Sequence, residues 1–483
     1  MRATRAVLWA VIWAFAGAFA LAFTLYVMRA RSMPDLAPWH QPLLAEDYGE
    51  DATASLDVYL AREAQIFAKL GRGVQRSGPS GPTAAFNRFN PESLNNPANR
   101  ERNWNRSFEL AVDEPRGGVL LVHGLSDSPY SLRSAAEIFH ARGFWVLGLR
   151  MPGHGTLPGE LTRARWRDWR DAVRMGARHV ADAVGERPLV LVGYSNGGAL
   201  VADYAVRVIE GSGDPAPTAL VMLSPAIGVS PLAAFASVQR VLSGLPGLEK
   251  LEWTAILPEY DPYKYNSFPV QAGEQIHALT TQLARATDRL NARERLADFP
   301  PTLVFQSVVD ATIPPATVVD RLLSKVPPNG SALVLFDVNR IAQAEPFMRT
   351  GYEAFLRSLL EADALPFELT LVTNAAPDTR VVVARTRRAG PGVGTLWTER
   401  ELGLVWPDGV YSLSHVAIPF PPNDPVYGAR DQVRDTSPLN LGALDLRGER
   451  GVFGVSMDQI MRLRHNPFFP YLRARLEAMI DAL

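Results

Sequence analysis

The sequence predicts an α/β fold, a mostly parallel central sheet with helices on both faces, and two observations carry that expectation. Short apolar runs bounded by Gly and Pro recur along the chain: "GGVLLVHG" (117–124), "GFWVLGLRMPGHG" (143–155), "PLVLVGYS" (188–195), "TALVMLSP" (218–225), "PTLVFQSVVD" (301–310) and "SALVLFDVN" (331–339). Amphipathic helical patterns lie between them at 131–142, 163–184 and 197–210. Strands apolar along their whole length, separated by helices, are what a parallel sheet covered on both faces requires.

The bulk numbers bound the rest. At 483 residues the chain exceeds a single typical domain, so it holds a large core with insertions or two units. A formal net charge of −1 gives no electrostatic footprint for nucleic acid. With no cysteine there are no disulfides, no thiolate catalysis and no cysteine metal site, and the eight histidines are scattered without ligand spacing. No metal or other cofactor is expected.

Val7 to Met28 carries no charged residue and is long enough to cross a bilayer as one helix. Ala18-Phe19-Ala20 resembles a signal-peptide cleavage site, but the apolar run continues for eight residues beyond it, which favours an uncleaved anchor over residues 1–30. Flanking arginines are nearly balanced, and the expected orientation places the large domain outside the cytoplasm. Residues 31–110 are polar with one amphipathic segment near 55–70, and read as a stalk and lead-in helix. The core is expected in three parts, 111–225, 300–339 and 411–483. The interruption at 226–299 follows a strand's carboxyl end, where a cap over a ligand crevice would lie. The second, 340–410, contains "FELTLVTN" and "TRVVVARTR" and is expected to add antiparallel strands to an edge.

Gly193-Tyr194-Ser195-Asn196-Gly197 fits G-x-S-x-G. The pentapeptide alone is only suggestive, but it follows a buried strand and opens a helix, the setting of a nucleophile elbow. The sharp turn strains the serine backbone and leaves no room for side chains at Gly193 and Gly197. It also leaves the Asn196 amide at a helix N-terminus, facing a developing oxyanion. A second amide donor is expected from Leu125, in the loop after "LLVHG".

The acid and base follow from chain order, which in such a fold runs nucleophile, acid, histidine. Asp310 ends the strand-like "TLVFQSVVD"; Asp337, on the next strand, is its rival, and Asp320 reads as a surface charge. Only His415 and His465 come late enough to be the base. His415 precedes a Pro-rich loop able to reach the sheet's carboxyl edge, whereas His465 reads as a helix or surface histidine. His123 and His154 precede the nucleophile and read as structural. His415 would take the Ser195 proton, the Asn196 and Leu125 amides would hold the oxyanion, and Asp310 would fix the imidazole tautomer.

Together "HGLSDSPYSLR", "RMPGHG", "GYSNGG", the aspartate after "LVFQSVV" and the late "SLSH" resemble the α/β-hydrolase superfamily. More narrowly they are similar to its monoglyceride lipase, carboxylesterase and serine-aminopeptidase-like branch. The resemblance spans roughly 110–339 and 405–480 and implies the α/β-hydrolase fold, a Ser-Asp-His triad and a cap. The favoured reading is a membrane-tethered carboxylesterase or lipase acting on small acyl-ester or lipid-like substrates. Aromatic residues of 253–268 are candidates to line an acyl pocket, although core packing is their commoner use. The alternative, a serine aminopeptidase or amidase on small N-terminal substrates, would need an acidic group to receive the substrate amine, and the sequence does not reveal which residue would serve. A catalytically silent binding scaffold has no use for an intact set of Ser195, Asp310 and His415.

Overall fold

The computed structural model describes all residues except 1, 47–52, 75–77, 80–83, 229–235, 343–351, 391–396, 433–440, 443–455 and 457–460. In chain order the labelled elements are α1 (Arg2–Ser32), α2 (Leu56–Arg72), β1 (Phe108–Leu110), β2 (Gly117–Val122), α3 (Arg133–Ala141) and β3 (Phe144–Leu149). There follow α4 (Trp166–Val184), β4 (Leu189–Tyr194), α5 (Asn196–Glu210), β5 (Ala219–Leu223), α6 (Ala236–Ser243), β6 (Trp253–Ala255) and β7 (Phe268–Pro269). The chain continues through α7 (Val270–Ala292), β8 (Thr302–Ser307), β9 (Ala332–Phe336), β10 (Glu368–Asn374), β11 (Val381–Arg387) and β12 (Trp397–Val405). Further helices span Tyr352–Glu361 and Phe469–Asp481.

Ten strands form one sheet in the order β1-β3-β2-β4-β5-β8-β9-β10-β11-β12. From β3 to β10 every neighbouring pair is parallel, while β1 at one edge and β11 and β12 at the other run antiparallel. Side chains alternate between two cores. Leu120, Val122, Leu189 and Leu191 enter a core beneath α4, α5 and α7, while Val119, Leu121, Val190 and Val192 enter one beneath α3 and the C-terminal helix. Burial on both faces is why these strands read as unbroken apolar runs. Because β3 and β4 lie on opposite sides of β2, the order reverses there, and a crevice opens beyond the carboxyl ends of β2 and β4.

Three expectations change. The lead-in region is no free stalk: Leu44, Leu56, Tyr59, Ile66, Phe67, Leu70 and Phe89 belong to the α4/α5 core. Buried Arg150 reinforces this docking, pairing with Glu63 at 3.1 Å and Glu46 at 3.0 Å. The stretch 226–299 divides in two. Within the expected cap, residues 236–269 carry α6 and the β6–β7 pair, whereas α7 lies against the core, burying Leu279, Leu283, Ala286 and Leu290 at helical spacing. Within 340–410, β10 extends the parallel sheet beside β9, and only β11 and β12 make the antiparallel edge.

The apolar N-terminal segment is helical, and Val7–Ser32 is long and apolar enough to cross a membrane. Val7, Trp9, Trp13 and Phe15 are exposed. Towards the helix's end, Phe23, Tyr26, Val27 and Ala30 pack against Leu242, Leu248 and Leu251 of the cap, and Arg29 donates to the Thr254 carbonyl at 3.1 Å.

Candidate active site

The elbow is built by close packing. Ser195 stands between β4 and α5 at φ +53°, ψ −113°, a strained conformation for a residue with a side chain. Its N–H donates to Leu223 O and its carbonyl accepts from Ala226 N, both at 2.9 Å, so the end of β5 holds the turn. A Cβ on Gly193 would lie 2.4 Å from Gly197 O, and one on Gly197 would lie 1.9 Å from Val122 O. Neither backbone oxygen can yield, so both glycines are required by contact.

Ser195, His415 and Asp310 form one hydrogen-bonded chain. His415 Nε2 is 3.0 Å from Ser195 Oγ, and His415 Nδ1 is 2.8 Å from Asp310 Oδ2. Since a carboxylate only accepts, Nδ1 carries the proton and Nε2 is free to accept from the serine. Asp310 sits in the turn after β8, where its Oδ1 accepts from the N–H groups of Thr312 and Ile313, each at 2.9 Å. His415 opens a short 3₁₀ turn after an irregular segment. Asn339, beyond β9, holds that segment by donating to the carbonyls of Tyr411 and Val410. His415 thus arrives over the sheet edge on a tethered loop.

The loop after β2 closes the other side. A Cβ on Gly124 would lie 3.2 Å from Ser195 Cβ, so this loop passes directly beside the serine. Neither the Leu125 nor the Asn196 main-chain N–H has an acceptor among the described residues. A tetrahedral oxyanion needs N–H donors that are not already spent on the protein's own carbonyls.

The competing residues are occupied elsewhere. Asp337 accepts from Thr373 Oγ1 at 2.7 Å and pairs with Arg340 at 3.0 Å. Asp320 is exposed. His123 donates from Nδ1 to Gly124 O and accepts the Met151 N–H at Nε2, and His154 Nδ1 bonds Pro152 O. Burial lowers both, His154 to about 3, so both stay neutral supports of the loops around the site. His465 departs from its expected surface position. It is buried, which lowers its pKa, and described residues 461–468 are not helical; 457–460, where that helix was expected to begin, lie outside the described residues.

Beside Ser195 and His415 lies a cavity of about 270 Å³. Ser126, Tyr194 and Val416, each adjacent in sequence to Leu125, Ser195 or His415, form part of its wall. Tyr260, Tyr265 and Phe268 bring cap aromatics to it, whereas Trp253 is buried away from it. Asp127, Lys264, Arg462 and Arg464 also line the cavity. Sequence reading did not single these four out, because no motif links positions so far apart.

A family model described as "Serine aminopeptidase, S33" matches residues 113–338. The monoacylglycerol lipase of Mycolicibacterium smegmatis is 30% identical over 228 residues, covering 44% of this chain and 78% of that protein. The thermostable monoacylglycerol lipase of Bacillus sp. strain H-257 is 26% identical over 206 residues, covering 41% and 72%. Among solved structures, the Paleococcus ferrophilus monoacylglycerol lipase aligns over 48% of this chain and 88% of its own, at 21% identity and a TM-score of 0.36. The chain belongs to the α/β-hydrolase superfamily, in the branch that unites the serine aminopeptidase family with the monoacylglycerol lipases, and is a hydrolase of the lipase and esterase type.

Proposed function

We propose that this protein hydrolyses carboxylic esters through an acyl-enzyme on Ser195. The observation that carries the proposal is the chain of hydrogen bonds from Ser195 through His415 to Asp310, at 3.0 and 2.8 Å. His415 Nε2 takes the serine proton as Oγ bonds to the ester carbonyl carbon, and the carbonyl electron pair moves onto oxygen. The Leu125 and Asn196 amides receive that oxyanion, and Asp310 stabilises the imidazolium. Collapse expels the alcohol, which leaves with the proton from His415. Water then repeats the sequence, with His415 as base, and releases the acid and free Ser195.

Relatives named as monoacylglycerol lipases and an apolar N-terminal helix together favour a lipid-like acyl ester met at a membrane, with Val7–Met28 as the anchor and the catalytic domain on the extracytoplasmic side. The test is labelling by a fluorophosphonate probe, wild type against Ser195→Ala, followed by turnover of acyl esters and aminoacyl anilides. Labelling confined to the wild type with esters turned over faster is expected. Equal labelling of both proteins rejects the nucleophile, and faster anilide turnover rejects the ester reading.

A further inference from the structure

The cavity beside the triad is charged in a way that ester hydrolysis alone does not demand. Five ionisable groups other than tyrosines line it: Asp127, Asp261, Lys264, Arg462 and Arg464. Both acids are spent. Asp127 holds the Lys264 ammonium at 3.1 Å from each carboxylate oxygen. Asp261 pairs with Arg464 at 2.9 Å, and its Oδ1 accepts the Tyr427 hydroxyl and the N–H groups of Tyr263 and Lys264. Arg464 is committed too, with its other terminal nitrogen 3.1 Å from the Tyr260 hydroxyl.

Arg462 is different. Its one hydrogen bond among the described residues is from Nη2 to Thr312 Oγ1 at 3.0 Å, and it pairs with no carboxylate there. A guanidinium has five N–H donors and never loses its charge near neutral pH, so donors remain for a ligand. Thr312, which Arg462 bonds, also donates its N–H to Asp310, but that carboxylate is taken up by His415, Thr312 and Ile313. Among the described residues, an ammonium entering this cavity meets two neutralised acids and one cation without a carboxylate partner. An anion meets a planar fork suited to two parallel hydrogen bonds, framed by Phe268, Phe420 and the tyrosines.

We infer that Arg462 is a specificity-determining residue selecting esters that carry an anionic carboxylate or phosphate group joined to an apolar chain. This rests on the ester-hydrolase reading above and deepens it by naming the substrate class. Among the described residues lining the cavity, both acids are already paired and none is left to receive a substrate amine.

The experiment has a kinetic and a binding arm, both on the full chain in detergent. In the first, wild type and Arg462→Gln are compared on matched esters: a monoacylglycerol against its phosphate monoester, and a p-nitrophenyl ester of a dicarboxylic acid against the methyl-capped form. The pairs separate phosphate from carboxylate and the alcohol side from the acyl side. Wild type should favour the anionic member of at least one pair, and Arg462→Gln should reduce that preference about tenfold through KM. In the second, dodecanoate and dodecanol are titrated against Ser195→Ala and Ser195→Ala/Arg462→Gln; dodecanoate should bind more tightly only where Arg462 is present. Equal kcat/KM within every pair in the wild type, or a preference that survives Arg462→Gln, overturns the inference while leaving ester hydrolysis standing. If no ester is turned over, the ester reading fails, and equal binding of the two amphiphiles then overturns the inference separately.

Discussion

Lys264 on the cap holds both carboxylate oxygens of Asp127 at 3.1 Å, and Asp127 lies two residues beyond Leu125. Next in sequence, Tyr265 donates its N–H to Ser126 O at 2.8 Å. The segment carrying Lys264 and Tyr265 is therefore stitched to the loop that holds Leu125, the proposed oxyanion donor. Burial raises the Asp127 carboxyl above its ordinary value, and Lys264 pulls it part of the way back. Removing the ammonium leaves a buried acid without its partner, which costs roughly 2 kcal/mol at this partly exposed site. We expect Lys264→Met to lower Tm and to reduce kcat about tenfold as the Leu125 amide loses its fixed position. The double variant Lys264→Met/Asp127→Leu should recover Tm, measured by thermal unfolding, without recovering kcat.

The two candidate acids separate by mutation. Asp310→Asn should reduce kcat on a short-chain p-nitrophenyl ester by about 10⁴-fold, because the amide no longer holds the productive tautomer. Asp337→Asn should leave kcat within a few-fold and lower Tm, since Asp337 bonds Thr373 and Arg340 away from the reacting groups. The reverse pattern would transfer the role to Asp337.

Two glycines make a paired test of the elbow. Gly197→Ala drives a Cβ to 1.9 Å from Val122 O, so soluble yield or fluorophosphonate labelling should collapse. Gly273→Ala, in α7, meets only the Phe268 ring at 3.8 Å and should stabilise by about 0.5–1 kcal/mol through helix propensity. Urea midpoints of the two variants compare them directly.

Asp203 gives the pH prediction. It is buried in α5 with Oδ2 unpartnered among the described residues, and burial raises its carboxyl to about 6 against the partial relief of Arg207 and Arg170; Glu210 and Asp171 add to the rise. The folded chain thus holds this proton more tightly than the unfolded chain. Its stabilising contribution is complete below the ordinary value of 3.8 and is lost as pH rises through about 6. Asp203→Asn should leave stability near wild type at pH 4 and raise it by roughly 1–3 kcal/mol at pH 8. Urea titrations at the two pH values measure this, and an equal effect at both would refute it.

Much of the α/β core was legible because its signals are local. Strand runs such as 188–195 and the helix at 197–210 follow from burial on both sheet faces and from helical periodicity. The lead-in region was misjudged because its polar composition hides a single apolar stripe, Tyr59, Ile66 and Phe67, that becomes core only when the sheet's flank is present. The cap boundary was misjudged for the same reason, since α7 looks alike whether it covers a crevice or a sheet. His465 was read as a helix or surface histidine because its local sequence says nothing about what packs over it, yet it is buried.

By itself, the sequence determined the order Ser195, Asp310, His415 and the steric need for glycines around the elbow, because chain order and turn geometry are properties of neighbouring residues. Only the tertiary structure decided which charges are spent. Asp127, Asp261, Lys264 and Arg464 neutralise one another across as many as 203 positions, an arrangement no local pattern encodes, and that leaves Arg462 at the cavity wall with no carboxylate partner among the described residues. Coulombic pairing acts through space, so the charge a substrate meets is set by which segments the fold brings within a few ångströms.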